Sequence, residues 1–428
     1  MKNKIKFLFL LLFLLSILSF NALSQVPSIG VIKVIVSPDH RDWAYKLNEN
    51  AKFSVQVLKF GNTIENVTVD YAAGPESMPV IMKKGVVLKD GRMEFTGTMT
   101  TPGFYRLTVW ANVEGKRYEG MATAAFEPDK LQPLTIEPAD FDSFWQNAIA
   151  QARKVDLQPT MTLVPERCTS DANVYHINFQ NDKPGSRIYG MLAVPKKPGK
   201  YPALLKVPGG GVYKYGGDAR MAALGIVTLE IGIHGIPVNL DPQFYADLSN
   251  GALFNYYNIR ANDPDENYFK RVFLGCIKAV DFIFQLPEFN GIDLAVTGQS
   301  QGGLLSIVTA GLDKRINYLA PIYPGGCDNL RFLLTVTGDK VPLQNSKAAE
   351  AISYYDCVNF ARRITIPGYY SWGYNDVVCH PTSMCATYNI ITAPKELHIF
   401  QETGHWTYPE EQENVNKWLV KQIKKTIK

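Results

Sequence analysis

One stretch, residues 294–310, constrains the fold of this 428-residue chain more than any other. It begins with four residues typical of a buried strand, turns through Gly-Gln-Ser-Gln-Gly at positions 298–302, and continues as an apolar run that predicts a helix. Glycines two residues before and two after Ser300 would let strand and helix approach closely while the serine hydroxyl stays accessible at the helix N-terminus. On its own the motif would indicate only a tight glycine turn. Between a strand and a helix it predicts a nucleophilic serine at Ser300.

A serine hydroxyl needs a base that removes its proton, and the base needs a carboxylate that fixes its tautomer. When the serine sits on a strand-to-helix turn, its partners follow in the order serine, acid, histidine. Three histidines follow Ser300. His398 lies within the last predicted strand, and His380 leaves no room for a strand between acid and base. His405, directly after that strand, is therefore the predicted base, and a structural histidine is the alternative.

Five aspartates stand between the serine and His405, at positions 313, 328, 339, 356 and 376. Only Asp376 directly follows a strong predicted strand, at residues 368–372, through a short turn. The interval between Asp376 and His405 leaves room for one helix and one strand, as the chain order requires. We therefore predict Asp376 as the acid, with a turn-capping role after Asn375 as the alternative.

An acyl-transfer site also needs backbone N–H groups directed at the oxyanion, one from the residue after the serine and one from a loop after an early strand. Gln301 would supply the first. The predicted strand 203–207 runs into Pro-Gly-Gly-Gly at 208–211, whose glycines let the backbone approach a substrate oxygen. We predict Gly210 as the second donor, with Gly211 as the alternative. The run lacks the Lys-Ser/Thr ending of a P-loop and the spacing of a dinucleotide fingerprint.

The period of the hydrophobic pattern divides the chain into two regions. Within residues 29–126, apolar and polar residues alternate in short segments that are separated by turn clusters. This pattern predicts a β-sandwich, which an immunoglobulin-like domain at 25–130 matches best. After three prolines a helical pattern opens at Asp140, and helices then alternate within residues 138–428 with apolar strands predicted at 203–207, 226–231, 294–297, 318–322, 368–372 and 397–400. This alternation predicts an α/β domain with a mainly parallel sheet. Every residue assigned to chemistry lies beyond Pro208, so we expect the second domain to be catalytically self-sufficient.

The N-terminus predicts a secretory signal peptide at residues 1–24. A basic start is followed by an apolar run from 7 to 20, too short to span a bilayer, and by small residues at 22–24. We therefore expect an exported protein, periplasmic or extracellular, with no integral membrane segment after cleavage. A retained N-terminal anchor is the alternative.

Composition argues against several classes of function. The 44 basic and 40 acidic residues give a net charge of only +4, so no polyanionic partner such as nucleic acid is indicated. No metal-ligand spacing or cofactor motif is present, so no metal and no cofactor are predicted. Since export permits disulfides, Cys327 with Cys357 or Cys379 with Cys385 could be bridged. The sequence leaves the oligomeric state open.

Several motifs of the second region occur together, and in the same order, in a known family. Residues 138–428 resemble the acetyl xylan esterase and cephalosporin-C deacetylase family of α/β-hydrolases. The motifs that carry the resemblance are Gly-Gln-Ser-Gln-Gly-Gly at 298–303, Trp-Gly-Tyr-Asn-Asp at 372–376, Cys-His-Pro-Thr-Ser at 379–383, Ala-Thr-Tyr-Asn at 386–389 and Gly-His at 404–405. The N-terminal sandwich lies outside the match.

The resemblance implies an α/β-hydrolase fold, a triad of Ser300, Asp376 and His405, and acetylated carbohydrate as substrate. Acetyl groups of xylan or xylo-oligosaccharides would leave through an acetyl-serine intermediate. The chain departs from the family at two points, since Pro-Gly-Gly-Gly at 208–211 replaces the His-Gly-Tyr-Asn of many members and His380 replaces a second proline. The alternatives are an esterase or peptidase of different acyl preference on the same fold, and an inactive glycan-binding protein whose sandwich carries the function.

Overall fold

The computed structural model describes residues 30–331 and 347–424 of the chain. The predicted signal peptide at 1–24 lies outside these residues, as does Asp339, one of the aspartates weighed as the acid. Within the described residues, no helix is both long and apolar enough to cross a membrane.

Two β-sheets that share one apolar core form the N-terminal region. Their strands are β1 (Ile32–Pro38), β2 (Ala44–Tyr45), β3 (Ala51–Lys59), β4 (Asn62–Thr63), β5 (Val67–Pro75), β6 (Ile81–Leu88), β7 (Arg92–Gly97), β8 (Gly103–Val113) and β9 (Lys116–Phe126). One sheet joins β1, β3, β4 and β7, and the other has the order β2-β9-β8-β5-β6. Alternate residues of β3 are buried, because successive side chains of a strand point to opposite faces. The predicted all-β region is therefore present, while its immunoglobulin-like topology and its boundary at 130 stay predictions.

A nine-stranded sheet organises the rest of the described chain. Its strands are β10 (Thr160–Leu163), β11 (Ala172–Gln180), β12 (Arg187–Pro195), β13 (Tyr201–Lys206), β14 (Val227–Gly232), β15 (Phe289–Gln299), β16 (Tyr318–Ile322), β17 (Gly368–Trp372) and β18 (Lys395–Ile399). Their order is β10-β11-β12-β14-β13-β15-β16-β17-β18. Pairings from β14 to β18 are parallel, and those from β10 to β14 are antiparallel. The predicted α/β fold with a mainly parallel sheet is confirmed.

Helices connect most of these strands. In the described residues they are α1 (Phe141–Arg153), α2 (Ala219–Ala223), α3 (Pro242–Asn250), α4 (Tyr268–Gln285), α5 (Gln301–Leu312), α6 (Lys347–Ser353), α7 (Cys357–Ala361), α8 (Pro381–Asn389) and α9 (Pro409–Ile423). Helix α5, which follows Ser300, packs on β15 and β16 and is buried along nearly its whole length. A helix that is apolar on all sides needs such burial, and it anchors the serine turn in the core.

The antiparallel edge of the large sheet was missing from the sequence prediction. The apolar runs at 203–207, 226–231, 294–297, 318–322, 368–372 and 397–400 correspond to β13 to β18. No strand was predicted from 160 to 195, where β10 to β12 lie. β10 is an edge strand of only four residues, and although Met161 and Leu163 alternate with threonines, all four residues are exposed, so the short pattern does not mark a buried face.

All six cysteines lie in the described residues and are free thiols. Neither pairing considered from the sequence is therefore formed. Cys379 and Cys385 are close in sequence, but the Cys379 thiol interacts with Ser300 and the Cys385 thiol with Trp372. The thiols of Cys327 and Cys357 do contact each other and remain unbridged.

Candidate active site

The turn between β15 and α5 holds Ser300 in a backbone conformation that few residues adopt. Its φ of 58° and ψ of −120° lie outside the helix and strand regions, and its N–H donates to the Ile322 carbonyl at 3.0 Å. A β-carbon at Gly298 or at Gly302 would lie 2.6 Å from the Val207 carbonyl oxygen. Both positions therefore exclude any side chain, which is the physical reason for the two glycines of the motif.

Three side chains from three separate loops meet at this turn. Nε2 of His405 lies 2.9 Å from Oγ of Ser300, and Nδ1 of the same ring lies 2.9 Å from Oδ2 of Asp376. Since an ionised carboxylate only accepts hydrogen bonds, Nδ1 carries the proton and Nε2 accepts from the serine hydroxyl. The Asp376 side chain is fully buried, and 11% of the His405 side chain is exposed. The three predicted residues are thus hydrogen-bonded in series, serine to histidine to aspartate, which is the geometry that a nucleophile, its base and an orienting carboxylate require.

Asp376 and Asp356, another of the five aspartates weighed as the acid, are held by different groups. Oδ1 of Asp376 accepts the N–H groups of Val378 and Cys379, both at 2.8 Å, which leaves Oδ2 for the histidine. Asp356 is also buried, but it precedes α7 and accepts the Val358 N–H at 2.9 Å. Burial raises the pKa of Asp356 to about 7. It caps α7 and accepts further N–H and hydroxyl donors, none of them from Ser300 or His405.

The acid loop, residues 373–379, is joined directly to the loop that carries the base. The Asn375 N–H donates to the Thr403 carbonyl at 3.1 Å. A β-carbon at Gly373 would lie 2.0 Å from that same oxygen, so only glycine permits the two loops to approach so closely. The separation between acid and base is therefore set by backbone contacts as well as by the side chains.

The two predicted oxyanion donors are free to bind a ligand. Gln301 is the first residue of α5, and Gly210 lies in the oxyanion loop, residues 208–211, which follows β13. Within 30–331 and 347–424, neither backbone N–H has a hydrogen-bond acceptor. The alternative donor Gly211 is occupied, because its N–H donates to Oη of Tyr256 at 3.1 Å. The structure thus favours Gly210 over Gly211 as the second donor.

The side chain of Gln301 ties the oxyanion loop to the serine turn. Its Nε2 donates to the Gly209 carbonyl at 3.1 Å, and its Oε1 accepts the Tyr256 hydroxyl at 2.6 Å. One residue therefore offers its backbone N–H to the site and holds the second donor loop with its amide. Tyr256 was missed from the sequence because it lies in a short 3₁₀ turn, Tyr256–Asn258, with no recognisable motif.

His234 supports the same loop from the other side and was also missed. Its Nε2 lies 2.9 Å from the Gly211 carbonyl oxygen, and its Nδ1 lies 2.8 Å from Oη of Tyr268. A carbonyl only accepts, so Nε2 carries the proton and Nδ1 accepts from the tyrosine. Burial lowers the pKa of His234 to about 4, so the ring is neutral at neutral pH. The sequence did hold a signal for His234, because it follows a predicted parallel strand. The carboxyl ends of parallel strands lie at the same edge of a sheet, where the serine turn also lies.

Cys379 lies beside the acid and the base. Asp376, Cys379 and His405 offer possible ligand atoms that all lie within 4.8 Å of one another. Burial raises the pKa of the Cys379 thiol well above its ordinary value. A thiol must lose its proton to bind a metal, and the carboxylate and imidazole already bind each other, so this group is poorly suited to a metal ion.

Comparisons with known proteins show relatives over most of the chain. A family model described as acetyl xylan esterase matches residues 125–422. The chain is also 38% identical over 435 residues to the acetyl esterase Axe7A of Xylanibacter ruminicola, in an alignment that covers 98% of this chain and 97% of the relative.

Two solved structures resemble a large part of the chain. An acetyl xylan esterase from a Paenibacillus species is 27% identical with a TM-score of 0.60, over 68% of this chain and 98% of that one. Acetyl xylan esterase 1 from a Thermoanaerobacterium species shares the fold at 23% identity and a TM-score of 0.57, over 69% of this chain and 97% of that one. Nearly all of each solved chain thus corresponds to about two thirds of this one.

Proposed function

Because this chain belongs to the acetyl xylan esterase family of carboxylic ester hydrolases, we propose that it removes acetyl groups from xylan or xylo-oligosaccharides through an acetyl-serine intermediate. The observation that best supports the mechanism is the hydrogen-bonded series Ser300, His405 and Asp376, with 2.9 Å at each link. A serine in this setting can lose its proton in the same step in which it attacks a carbonyl.

In the first half-reaction, Oγ of Ser300 attacks the carbonyl carbon of the acetyl ester while Nε2 of His405 accepts the hydroxyl proton. The carbonyl oxygen becomes an oxyanion that accepts the N–H groups of Gln301 and Gly210. Collapse of this intermediate breaks the bond to the sugar oxygen, which takes the proton from His405 and leaves as a free hydroxyl. Asp376 holds the Nδ1 proton and stabilises the charged imidazole.

In the second half-reaction, a water molecule replaces the sugar. His405 takes a proton from the water as its oxygen attacks the acetyl carbon on Ser300. The same two N–H groups stabilise the second oxyanion. The bond to Oγ then breaks, the serine regains its proton from His405, and acetate is released.

The oxyanion loop supports a small acyl group. Tyr257 stacks on Tyr256 with ring centroids 4.0 Å apart, and its hydroxyl lies 2.1 Å from where a β-carbon at Gly210 would stand. The space beside the second oxyanion donor is therefore taken by an aromatic hydroxyl. Long acyl chains would meet this polar group, whereas an acetyl group would not reach far past the donors.

Substrate range tests the proposal. We expect acetate release from acetylated xylan and xylo-oligosaccharides, and rates that fall along a p-nitrophenyl series from acetate to octanoate. Ser300→Ala protein serves as the matched control in each assay. Equal or faster hydrolysis of octanoate, with no acetate released from acetylated sugars, would contradict the substrate assignment.

Export to the periplasm or the cell exterior is part of the same proposal. The basic start, apolar run and small residues within 1–24 support it. N-terminal sequencing of the mature protein is expected to begin at Gln25, and a mature protein that retains Met1 would contradict it.

A further inference from the structure

The five-stranded N-terminal sheet contacts the acid loop directly. Arg106 on β8 is 9% exposed, and its Nη2 donates to the carbonyl oxygens of Tyr374 at 2.9 Å and Asp376 at 3.0 Å. Thr123 on β9 donates to Oδ1 of Asn375 at 2.9 Å. Three consecutive residues of the acid loop, ending at the acid itself, therefore accept hydrogen bonds from N-terminal side chains.

Arg106 is in turn held by its own surroundings. Its Nε donates to Oγ1 of Thr123 at 2.8 Å, and its Nη2 lies 3.5 Å from Oε2 of Glu76. Oε1 of Glu76 accepts the Thr382 N–H at 2.7 Å, at the start of α8. Burial lowers the pKa of Arg106, while the charges of Glu76 and Asp376 oppose that shift. A guanidinium stays protonated in proteins, so a buried positive charge stands near two buried carboxylates.

Apolar and polar contacts extend this interface on both sides of Arg106. The ring of Phe104 is 1% exposed and lies 5.1 Å from the ring of Tyr374, and it belongs to the same core as the large sheet. Oγ of Ser77 lies 3.0 Å from Nδ1 of His380, the position where the sequence departs from the family's second proline. The two regions are thus packed together at the acid loop rather than merely tethered.

We propose that the N-terminal β-sandwich is a working part of the active site, with Arg106 as a positioning residue that holds the acid loop for catalysis. The proposal rests on the proposed function, because it concerns the acid of that triad. Arg106 lies outside residues 125–422, which match the family model. The contacts run against the expectation that the second domain is catalytically self-sufficient.

The expected effect follows from what the guanidinium satisfies. Without it, the buried carbonyl oxygens of Tyr374 and Asp376 and the carboxylate of Glu76 lose their donor, and the loop would shift to find water or other partners. A displacement of about 1 Å at a catalytic group can cost on the order of 10²-fold in rate. Since the acid loop orients His405 rather than the sugar or the acyl group, the loss should fall on kcat and leave KM nearly unchanged.

Full-length variants test this directly with p-nitrophenyl acetate. The double variant Arg106→Met/Glu76→Gln removes both charges, so that no buried carboxylate is left unpaired. We expect kcat to fall roughly 10- to 100-fold with KM changed less than about threefold. Arg106→Lys should recover part of kcat, because an ammonium group keeps the charge but cannot reproduce the planar fork.

A matched control lies on the same sheet. Arg117 on β9 pairs with Asp70 at 3.7 Å and its side chain is 55% exposed, so Arg117→Met should keep the wild-type kcat. The downfield proton NMR signal of Nδ1–H of His405 reports the bond to Asp376. It should weaken or shift in the double variant and stay unchanged in Arg117→Met.

Two further variants keep the test decisive. A folded double variant with kcat within about threefold of wild type and an unchanged signal would overturn the inference. If that variant does not fold, Thr123→Val removes only one hydroxyl, and a wild-type kcat in that variant would overturn it equally. Activity in Ser300→Ala would instead refute the proposed function, whereas an inactive Ser300→Ala beside a fully active double variant refutes only the role of Arg106.

Discussion

The acid loop and the oxyanion loop lie on either side of Ser300 and are held by different means. The acid loop is held from the N-terminal sheet by the charged Arg106. The oxyanion loop is held from within the large α/β region by the neutral side chains of Gln301, Tyr256 and His234. A carboxylate carries its charge throughout the reaction, whereas an oxyanion exists only near the transition state. A fixed cation therefore suits the first loop, and preorganised neutral dipoles suit the second.

Replacing Ser300, which both loops adjoin, should have the largest effect on kcat. Ser300→Ala removes the nucleophile, and we expect kcat on acetylated xylan and p-nitrophenyl acetate to fall about 10⁴-fold or more. Thermal unfolding should be little changed, since one hydroxyl is lost. Activity within tenfold of wild type would rule out Ser300 as the nucleophile.

Within the acid loop, Asp376→Asn should cost somewhat less, about 10³- to 10⁴-fold in kcat. The base survives, but the amide no longer fixes the tautomer in which Nε2 accepts the serine proton. Asp356→Asn is the matched control, because it changes another buried aspartate that caps α7. A larger loss at Asp356 than at Asp376 would move the acid to the other residue.

On the oxyanion side, Tyr256→Phe should lower kcat about tenfold with KM nearly constant. The hydroxyl bridges the Gly211 N–H and the Gln301 amide, and losing an entire oxyanion donor costs about 10²- to 10³-fold, so loosening its loop should cost less. Tyr245→Phe is the control, since it removes a hydroxyl that binds Pro237 and Leu240 instead. Equal losses in the two variants would show that Tyr256 serves stability alone.

The smallest expected effect is on stability and depends on pH. His234 has a folded-state pKa of about 4, below its unfolded value of about 6.5, so the unfolded chain binds more protons as the pH falls through this window. The ring should therefore destabilise the fold by about 2 kcal/mol at pH 5 relative to pH 8. His234→Gln keeps a donor for Gly211 and cannot titrate, so denaturant unfolding should show a smaller pH dependence. An identical pH dependence in the two proteins would contradict this account.

The predictions from sequence held best where chemistry follows from local order. Gly298 and Gly302 were recognisable from their local spacing around Ser300, although the atom that excludes a side chain at both positions is the Val207 carbonyl oxygen at the end of a neighbouring strand. The parallel strands β13 to β17 were visible as apolar runs because both of their faces are largely buried, whereas no residue of the edge strand β18 is buried. Neither cysteine pair that the sequence left open as a possible disulfide is bridged, and Cys379 with Cys385 shows that closeness in sequence does not set the direction of a thiol.

The sequence by itself determined which strands Ser300, Asp376 and His405 follow, and it predicted their roles as nucleophile, acid and base, because both depend on residues close in the chain. Only the tertiary structure decided what holds those groups in place. Arg106 lies 270 positions from Asp376, and Tyr256 lies 45 positions from both Gly211 and Gln301. Such residues become partners when two surfaces pack together, because the donors and acceptors buried between them must form hydrogen bonds with each other. No local sequence pattern specifies which surfaces pack together.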